Sequence, residues 1–382
     1  MDFILKIIFW STLSLIISTY FLYPFILFVI SKVKPFYVQK KDIYPSVSVV
    51  ISAFNEEKHI GQKIENTLNL DYPKEHLEII IASDGSTDKT CDIAGRYKEK
   101  GIKLLDFRTN RGKVIIQNES VERANGEIIL FMDAASLVDK NALRKIVQNF
   151  SDKRVGCVAG RMVYVDTDLN ITTKSQGLYW KYENNIRNLE SRIGQMIGVD
   201  GPLYAIRKSN YVMLEKNIIS DLITPLLVIL QGKKVVLEEH AVVMEEPNIH
   251  SEHEFNTRRR ITLRGLNGLR AYPEMLNPFS HFSLSMQIIF HKILRWFVGL
   301  FVGINIIASI ALSANNLYGL FFAGYCLLFL FAITGSVLNK RGMQLKILTV
   351  PYYFILVNFS ATMGVFDFLR RKEIISWKPV RV

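Results

Sequence analysis

Cysteine is scarce in this chain. Three are spread over 382 residues, at Cys91, Cys157 and Cys326, with no CxxC pair and no Cys/His metal spacing. A disulfide-stapled secreted scaffold and a zinc module are thereby excluded, and the thiols read as reduced, structural groups of a cytoplasmic domain. Two phosphate grips are missing as well. No GxGxxG follows the first strand-like run and no GxxxxGK[ST] occurs, which removes the dinucleotide fold and the P-loop. There is no internal repeat, no low-complexity segment and no nucleic-acid module. The formal net charge of +12 therefore points to an anionic membrane surface and a diphosphate-bearing substrate, with no nucleic-acid partner.

What the chain has in excess is apolar residues, 49% of the total, unevenly placed. Ile4 to Ile30 carries one charge, Lys6, and exceeds the ~20 residues that span a bilayer. It is too long for a signal-peptide core and has no small-residue cleavage site, so residues 1–33 read as an uncleaved transmembrane anchor. Residues 34–45 form a basic linker. Residues 273–296 read as an interfacial amphipathic segment, and 297–369 as two or three C-terminal transmembrane helices, the last interrupted by Asn358, Ser360 and Thr362. Lys32, Lys34, Lys40 and Lys41 put the middle region on the cytoplasmic side of the cell (plasma) membrane, in a multi-pass arrangement. Lys340, Arg341 and Lys346, and then Arg370, Arg371 and Lys372 in the basic tail 370–382, all ask for the inside as well, which three full C-terminal spans cannot satisfy.

The middle region, 46–272, alternates strand and helix. Ser46–Ser52, Leu77–Ala82, Ile102–Phe107 and Ile128–Phe131 are short apolar runs separated by helical stretches, the pattern of a doubly wound, mostly parallel α/β sheet. Each of three runs ends in acidic residues: Glu56, the Asp84–Gly85–Ser86 turn, and Asp133. Alone, each reads as a turn or helix cap. Together they converge on the carboxyl edge of the sheet, where open α/β folds bind ligands. Acidic loops supply acceptors for a base and ribose, and a carboxylate with a hard divalent cation can hold a diphosphate.

SVSVVISAFNEEKHI, LEIIIASDGSTDKT, NRGK and EIILFMDAAS resemble the family 2 glycosyltransferases, inverting, nucleotide-sugar-dependent enzymes of GT-A fold. The resemblance covers Ser46 to Leu269, with a nucleotide half at 46–139 and an acceptor half at 140–272. It implies that Phe54, Asn55 and Glu56 line the nucleotide, that Asp84 faces the base, that Lys113 lies near the diphosphate, and that Asp133 begins the DxD metal motif for Mg2+ or Mn2+. The second Asp of that motif is Ala135, which leaves the cation with one protein carboxylate. In the acceptor half, Gly198–Arg207, with Gly201 at its centre, resembles the segment before the catalytic acid. Asp221 matches the catalytic base, and Ser220 replaces the first acid of the pair. Such a base takes the acceptor proton as the hydroxyl attacks the anomeric carbon.

Arg258, Arg259 and Arg260 occupy the region of the QxxRW segment, without its Gln and Trp. Guanidinium groups suit a leaving diphosphate, and a basic helix also suits anionic lipid. Tyr179, Trp180 and Tyr182 cluster on a helical stretch and read first as core. The missing Trp favours one or few transfers, to a lipid-linked or glycan acceptor, with a UDP-sugar as the donor the resemblance implies. Other polysaccharide-assembly proteins are expected partners. Two other readings stay open: a processive exopolysaccharide synthase, for which the visible spans are few, and a catalytically inactive membrane scaffold of a polysaccharide assembly.

Overall fold

A computed structural model describes residues 2–164, 171–245, 251–340 and 345–373. Its first element, α1 (Asp2–Val33), is followed by an eight-stranded sheet whose strands are β1 (Val47–Ala53), β2 (Leu77–Asp84), β3 (Ile102–Phe107), β4 (Ile128–Asp133), β5 (Leu137–Val138), β6 (Val155–Tyr164), β7 (Leu203–Arg207) and β8 (Lys234–Glu245). The spatial order is β3-β2-β1-β4-β7-β6-β8-β5. Within the nucleotide half β3, β2, β1 and β4 are parallel, as the strand–helix alternation predicts: α2 (Ile60–Leu68), α3 (Thr90–Gly95) and α4 (Lys113–Arg123) are their crossovers. The acceptor half is mixed. β7 runs antiparallel to both β4 and β6, while β6 and β8 pair in parallel. Burial explains why β1 and β4 read so clearly: Val47, Val49, Val50, Ile51 and Ile128–Met132 are all covered on both faces.

β6 pairs with β8 along its whole length as one strand, with a register shift between Gly160 and Arg161. A bulge of this kind re-aims the strand without ending it. Between β4 and α5 (Ala142–Gln148) sits the two-residue β5, pairing with the far end of β8. The acceptor half then adds α6 (Ile171–Arg192), α7 (Ser220–Leu230) and α8 (Ser251–Ala271).

Beyond α8 come α9 (Pro278–Ala311), α10 (Asn316–Lys340) and α11 (Lys346–Leu369). Among the described residues four helices are long and apolar enough to cross a membrane: α1, α9, α10 and α11. The stretch expected to be interfacial, 273–296, is continuous with the first C-terminal span, and Leu284, Ile288, His291 and Trp296 bury one of its sides against the sheet-bearing domain. α1 and α9 each contain a π-turn, at Ser18–Leu22 and Ile289–Ile293. The two turns meet: Thr19 Oγ1 donates to the Phe290 carbonyl at 2.8 Å, and the Tyr182 hydroxyl donates to the Tyr20 carbonyl at 2.8 Å. A π-turn opens the helical ladder locally, which leaves carbonyls for such cross-bonds. The fourth apolar helix, α11, lies against α8, with the Arg259 guanidinium clasping Asp367.

Candidate active site

Register fixes the edge of the nucleotide half. Ser52 stands opposite Asp133 and Ala53 opposite Ser83, so Asp133 and Asp84 leave the sheet on either side of the 54–56 turn. That turn is laced to the next one. Asn55 Oδ1 accepts the Thr87 N–H at 2.8 Å, and Thr90 Oγ1 accepts the Glu56 N–H at 2.8 Å. Asn55 has φ +54°, a left-handed conformation that Asn tolerates better than most side chains. The Glu56 carboxylate is buried against His59 Nδ1 at 2.9 Å. Asp84 accepts the backbone N–H groups of Arg111 at 2.7 Å and Gly112 at 2.9 Å. Gly112, at φ +95°, lets the chain swing into α4, whose first residue is Lys113. In the structure, then, Asp84 sets where Lys113 begins.

A cavity of about 360 Å3 lies beyond this edge, between the acceptor half and the apolar helices. Of the residues expected at the site, Lys113, Asp133, Gly201, Asp221, Arg258 and Arg260 line it. Phe54, Asn55, Glu56 and Asp84 form the neighbouring strand-end group outside that lining, and Arg259 turns away to Asp367. Arg258 lines the cavity but is held by Glu254 at 2.7 Å. Arg260 and Arg264, one helical turn apart on α8, both face the cavity. Burial lowers the pKa of each, Arg264 to about 10, against the pull of Asp221.

Asp221 sits in the first turn of α7, and its surroundings are built closely around it. Gly201 lies directly against the carboxylate: a Cβ there would come within 2.7 Å of Oδ2. Four residues on, Pro225 stands inside α7. It has no N–H to give to the Asp221 carbonyl. That carbonyl instead accepts the Val199 N–H at 2.8 Å, which ties the 198–201 loop to the acid. Burial raises the Asp221 carboxyl above the usual carboxylate range, partly offset by Lys113.

Lys113 Nζ is 2.6 Å from Asp133 Oδ1. Burial pulls its pKa down, but Asp133 and Asp221 more than offset that and leave it raised. Among the described residues no group of three His, Cys, Asp or Glu side chains is placed to hold a metal ion. Asp133 Oδ2 has no protein partner there, and residue 135 is alanine. This donor set fits a cation that keeps several waters and shares one carboxylate with a substrate diphosphate, the usual habit of Mg2+. It does not fit a resident all-protein metal site. Under the strand end lies Lys63, fully buried, donating to the Ser136 carbonyl at 2.8 Å. Burial lowers its pKa to about 7.

Several lining residues escaped the sequence reading. Glu183 on α6 receives Arg295 Nη1 at 2.8 Å, His291 Nε2 at 3.2 Å and Lys292 Nζ at 3.5 Å, all three from α9. Arg187, one turn further on α6, binds Asp200 in the loop next to Gly201. His291 Nδ1 also meets Glu190 at 2.7 Å, which in turn accepts the Tyr23 hydroxyl of α1 at 2.5 Å. The available signal was three charge-capable residues, His291, Lys292 and Arg295, entering an apolar run. A tryptophan also lines the cavity after all. Trp296 of α9 packs on Gly265 so tightly that a Cβ there would lie 2.5 Å from its ring.

The family described as glycosyl transferase family 2 matches residues 48–211. "Probable glycosyltransferase YdaM" of Bacillus subtilis (strain 168) is 32% identical over 156 residues, 36% of this chain and 37% of that protein. "Poly-beta-1,6-N-acetyl-D-glucosamine synthase" of Staphylococcus epidermidis is 31% identical over 116 residues, 30% of this chain and 28% of that one. "Beta-monoglucosyldiacylglycerol synthase" of Synechocystis sp. is 31% identical over 138 residues, 35% and 29% of the two chains. The chain thus spans about a third of the length of these relatives. Among solved structures, the mannosyltransferase PcManGT from Pyrobaculum calidifontis, in complex with GDP-Man and Mn2+, superposes with TM-score 0.72 over 97% of this chain and 100% of that one, at 19% identity. At that identity the likeness establishes the GT-A fold, apolar helices included, and nothing about substrate.

Proposed function

Since this chain belongs to glycosyl transferase family 2 through residues 48–211, we propose that it transfers a sugar from a nucleotide-sugar, with inversion, to an acceptor at the cytoplasmic face of a membrane. The observation that carries this reading is the placement of Asp221. Its half-buried carboxylate lies against Gly201 in the same cavity as the Lys113–Asp133 pair, Arg260 and Arg264. One side of the cavity thus offers cations to a departing diphosphate, and the other offers a base of raised pKa to an acceptor hydroxyl. Phe54, Asn55, Glu56 and Asp84 face the nucleotide in this scheme, and the donor is a UDP-sugar. A divalent cation bound with the donor at Asp133 supplies further neutralisation of the diphosphate. The named relatives act in glycan-chain and glycolipid synthesis by their titles, and cell-surface glycan or exopolysaccharide synthesis is the corresponding role here.

A screen of radiolabelled UDP-, GDP- and dTDP-sugars, with membranes containing the protein, tests the reading. Label should pass from one donor class to a membrane fraction, and Asp221→Asn should stop it. Donor binding without turnover of any sugar would favour an inactive scaffold instead.

A further inference from the structure

Two carboxylates belong to one corner of the cavity. Asp221 meets the 198–201 loop at both its flanks: its carbonyl accepts the Val199 N–H at 2.8 Å, and its carboxylate lies against Gly201. Asp200, the residue between those two, is buried and lines the same cavity. By position alone either acid could take a proton from an acceptor. Their partners separate them. Asp221 accepts the Ser220 hydroxyl at 3.3 Å, and Lys113 acts on it through space. Asp200 is bound by Arg187 Nη1 in a buried ion pair.

Arg187 has little freedom. Its Nε lies 3.6 Å from Glu183, and its guanidinium stands 5.0 Å from the centre of the Trp180 ring. Glu183 is in turn held by Arg295 at 2.8 Å. Arg295 is braced as well: it stands 5.9 Å from the centre of the Tyr20 ring, and the Tyr20 hydroxyl meets Asn358 Oδ1 at 3.3 Å. Side chains of α1, α6, α9 and α11 therefore back Arg187, and a planar guanidinium so held presents Nη1 at a fixed place. The loop has a second tie on its far side, where the Asp200 carbonyl accepts the Leu203 N–H at 3.2 Å at the start of β7. Burying two charges is costly, and a buried ion pair is seldom worth more than apolar contacts that could replace it. What this pair obtains is the position of a loop.

We propose that Arg187 is a positioning residue for the transfer: through Asp200 it pins the 198–201 loop so that Gly201 abuts the Asp221 carboxylate, and it withdraws Asp200 from service as a base. This rests on the reading of Asp221 given above. Without the guanidinium, Asp200 loses its partner and the loop keeps only its ties to the Asp221 carbonyl and to β7. The carboxylate beside Gly201 is then free to leave the place where it meets an acceptor hydroxyl.

The test uses membranes containing the full chain and the radiolabelled nucleotide-sugar that labels them in the screen above. Arg187→Met should lower kcat about 10- to 100-fold, with donor KM and nucleotide affinity near wild type. Asp200→Ala should do the same, and Arg187→Met with Asp200→Ala should be no worse than either alone. In an Asp221→Asn background, Arg187→Met should leave the residual rate unchanged, because the group that it positions is no longer a base. Wild-type kcat in Arg187→Met, additive losses in the double variant, or a further loss in the Asp221→Asn background each overturn the proposal and leave the transferase reading intact. Should Arg187→Met alone fail to fold, the double variant decides, since it leaves Asp200 without a lone buried charge; wild-type kcat there overturns the proposal. Near-normal transfer by Asp221→Asn together with loss in Asp200→Ala would make Asp200 the base, and the reading of Asp221 would fall along with this inference. If no nucleotide-sugar labels the membranes, the transferase reading itself is removed, and this inference with it.

Discussion

Replacing Gly201 by alanine probes Asp221, the proposed base, through its neighbour. The added Cβ would stand 2.7 Å from Asp221 Oδ2, 3.1 Å from Cγ and 3.2 Å from Oδ1, where ordinary contact begins at 3.4 Å. The carboxylate must therefore retreat by 3.4 − 2.7 = 0.7 Å. Its backbone cannot take up the shift easily, because the Asp221 carbonyl is fixed by the Val199 N–H and its residue lies in the first turn of α7. The movement falls on the side-chain torsions and hence on the carboxylate oxygen proposed to take the proton. A misplacement of about 1 Å costs about 100-fold in rate, so roughly 10- to 100-fold is expected in kcat. Overpacking of this kind costs about 1–3 kcal/mol in stability, which a thermal melt will register.

The assay is initial transfer rate at saturating donor, with nucleotide affinity measured by calorimetry on the same preparation. Affinity should stay near wild type, since Gly201 touches Asp221 and not the strand-end group. Gly198→Ala is the control: the nearest atom to its Cβ would be Lys292 Nζ at 3.7 Å, so no atom need move. Wild-type kcat in Gly201→Ala, or an equal loss in Gly198→Ala, would falsify the assignment of Asp221 as the group that the loop positions.

Three further outcomes are expected. Asp221→Asn keeps capping ability but loses basicity, so kcat should fall by roughly 10²–10⁴-fold with nucleotide affinity retained; near-normal transfer would move the search for the base to Asp200 or Glu238. Asp133→Asn should abolish Mn2+-dependent donor binding in calorimetry, and Ala135→Asp should tighten it; wild-type metal dependence in the first variant refutes the metal assignment. Lys63, with its pKa lowered by burial to about 7, binds fewer protons folded than unfolded between about pH 7 and its ordinary value. Its contribution to stability therefore rises with pH across that window and is least below it, and Lys63→Met should flatten that part of a melting-temperature profile; identical profiles would show that the ammonium is solvated.

The nucleotide half was legible because its strands are buried on both faces and joined by local crossovers. Ile102–Phe107 matches the structure to the residue, and Leu77–Ala82 is extended only by Ser83 and Asp84. The acceptor half was less so. β7 follows a glycine segment and pairs antiparallel with two strands distant in sequence, and no local pattern announces such pairing. The site divided in the same way. Lys113, Asp133 and Asp221 sit at element ends, where sequence pattern speaks. Glu183, Arg295, Tyr20 and Asn358 meet only because helices far apart in the chain pack together, and two of those helices read from composition as plain membrane spans. Arg259 looked equivalent to its neighbours until Asp367, 108 residues later, took it out of the cavity.

The inactive-scaffold reading has to account for two local costs. A proline in a helix interior forfeits a hydrogen bond and crowds the carbonyl four residues back, about 3 kcal/mol in an unsupported helix. A glycine gives up about 0.5–1 kcal/mol of conformational entropy relative to alanine. Pro225 and Gly201 incur both at one spot, and what each obtains there concerns Asp221: the first frees its carbonyl for the Val199 N–H, the second leaves room for its carboxylate. Neither is needed to cover the core, which Leu222, Ile223, Leu226 and Val228 of the same helix already fill. Two unfavourable local choices around one acid are the pattern of a site that positions a reacting group. Ala135 would leave a cation at Asp133 with one carboxylate fewer, but it leaves untouched the contacts that hold Asp221, the proposed base. Loss of metal affinity and loss of catalysis are therefore separable in this chain, and a scaffold would have no use for the second.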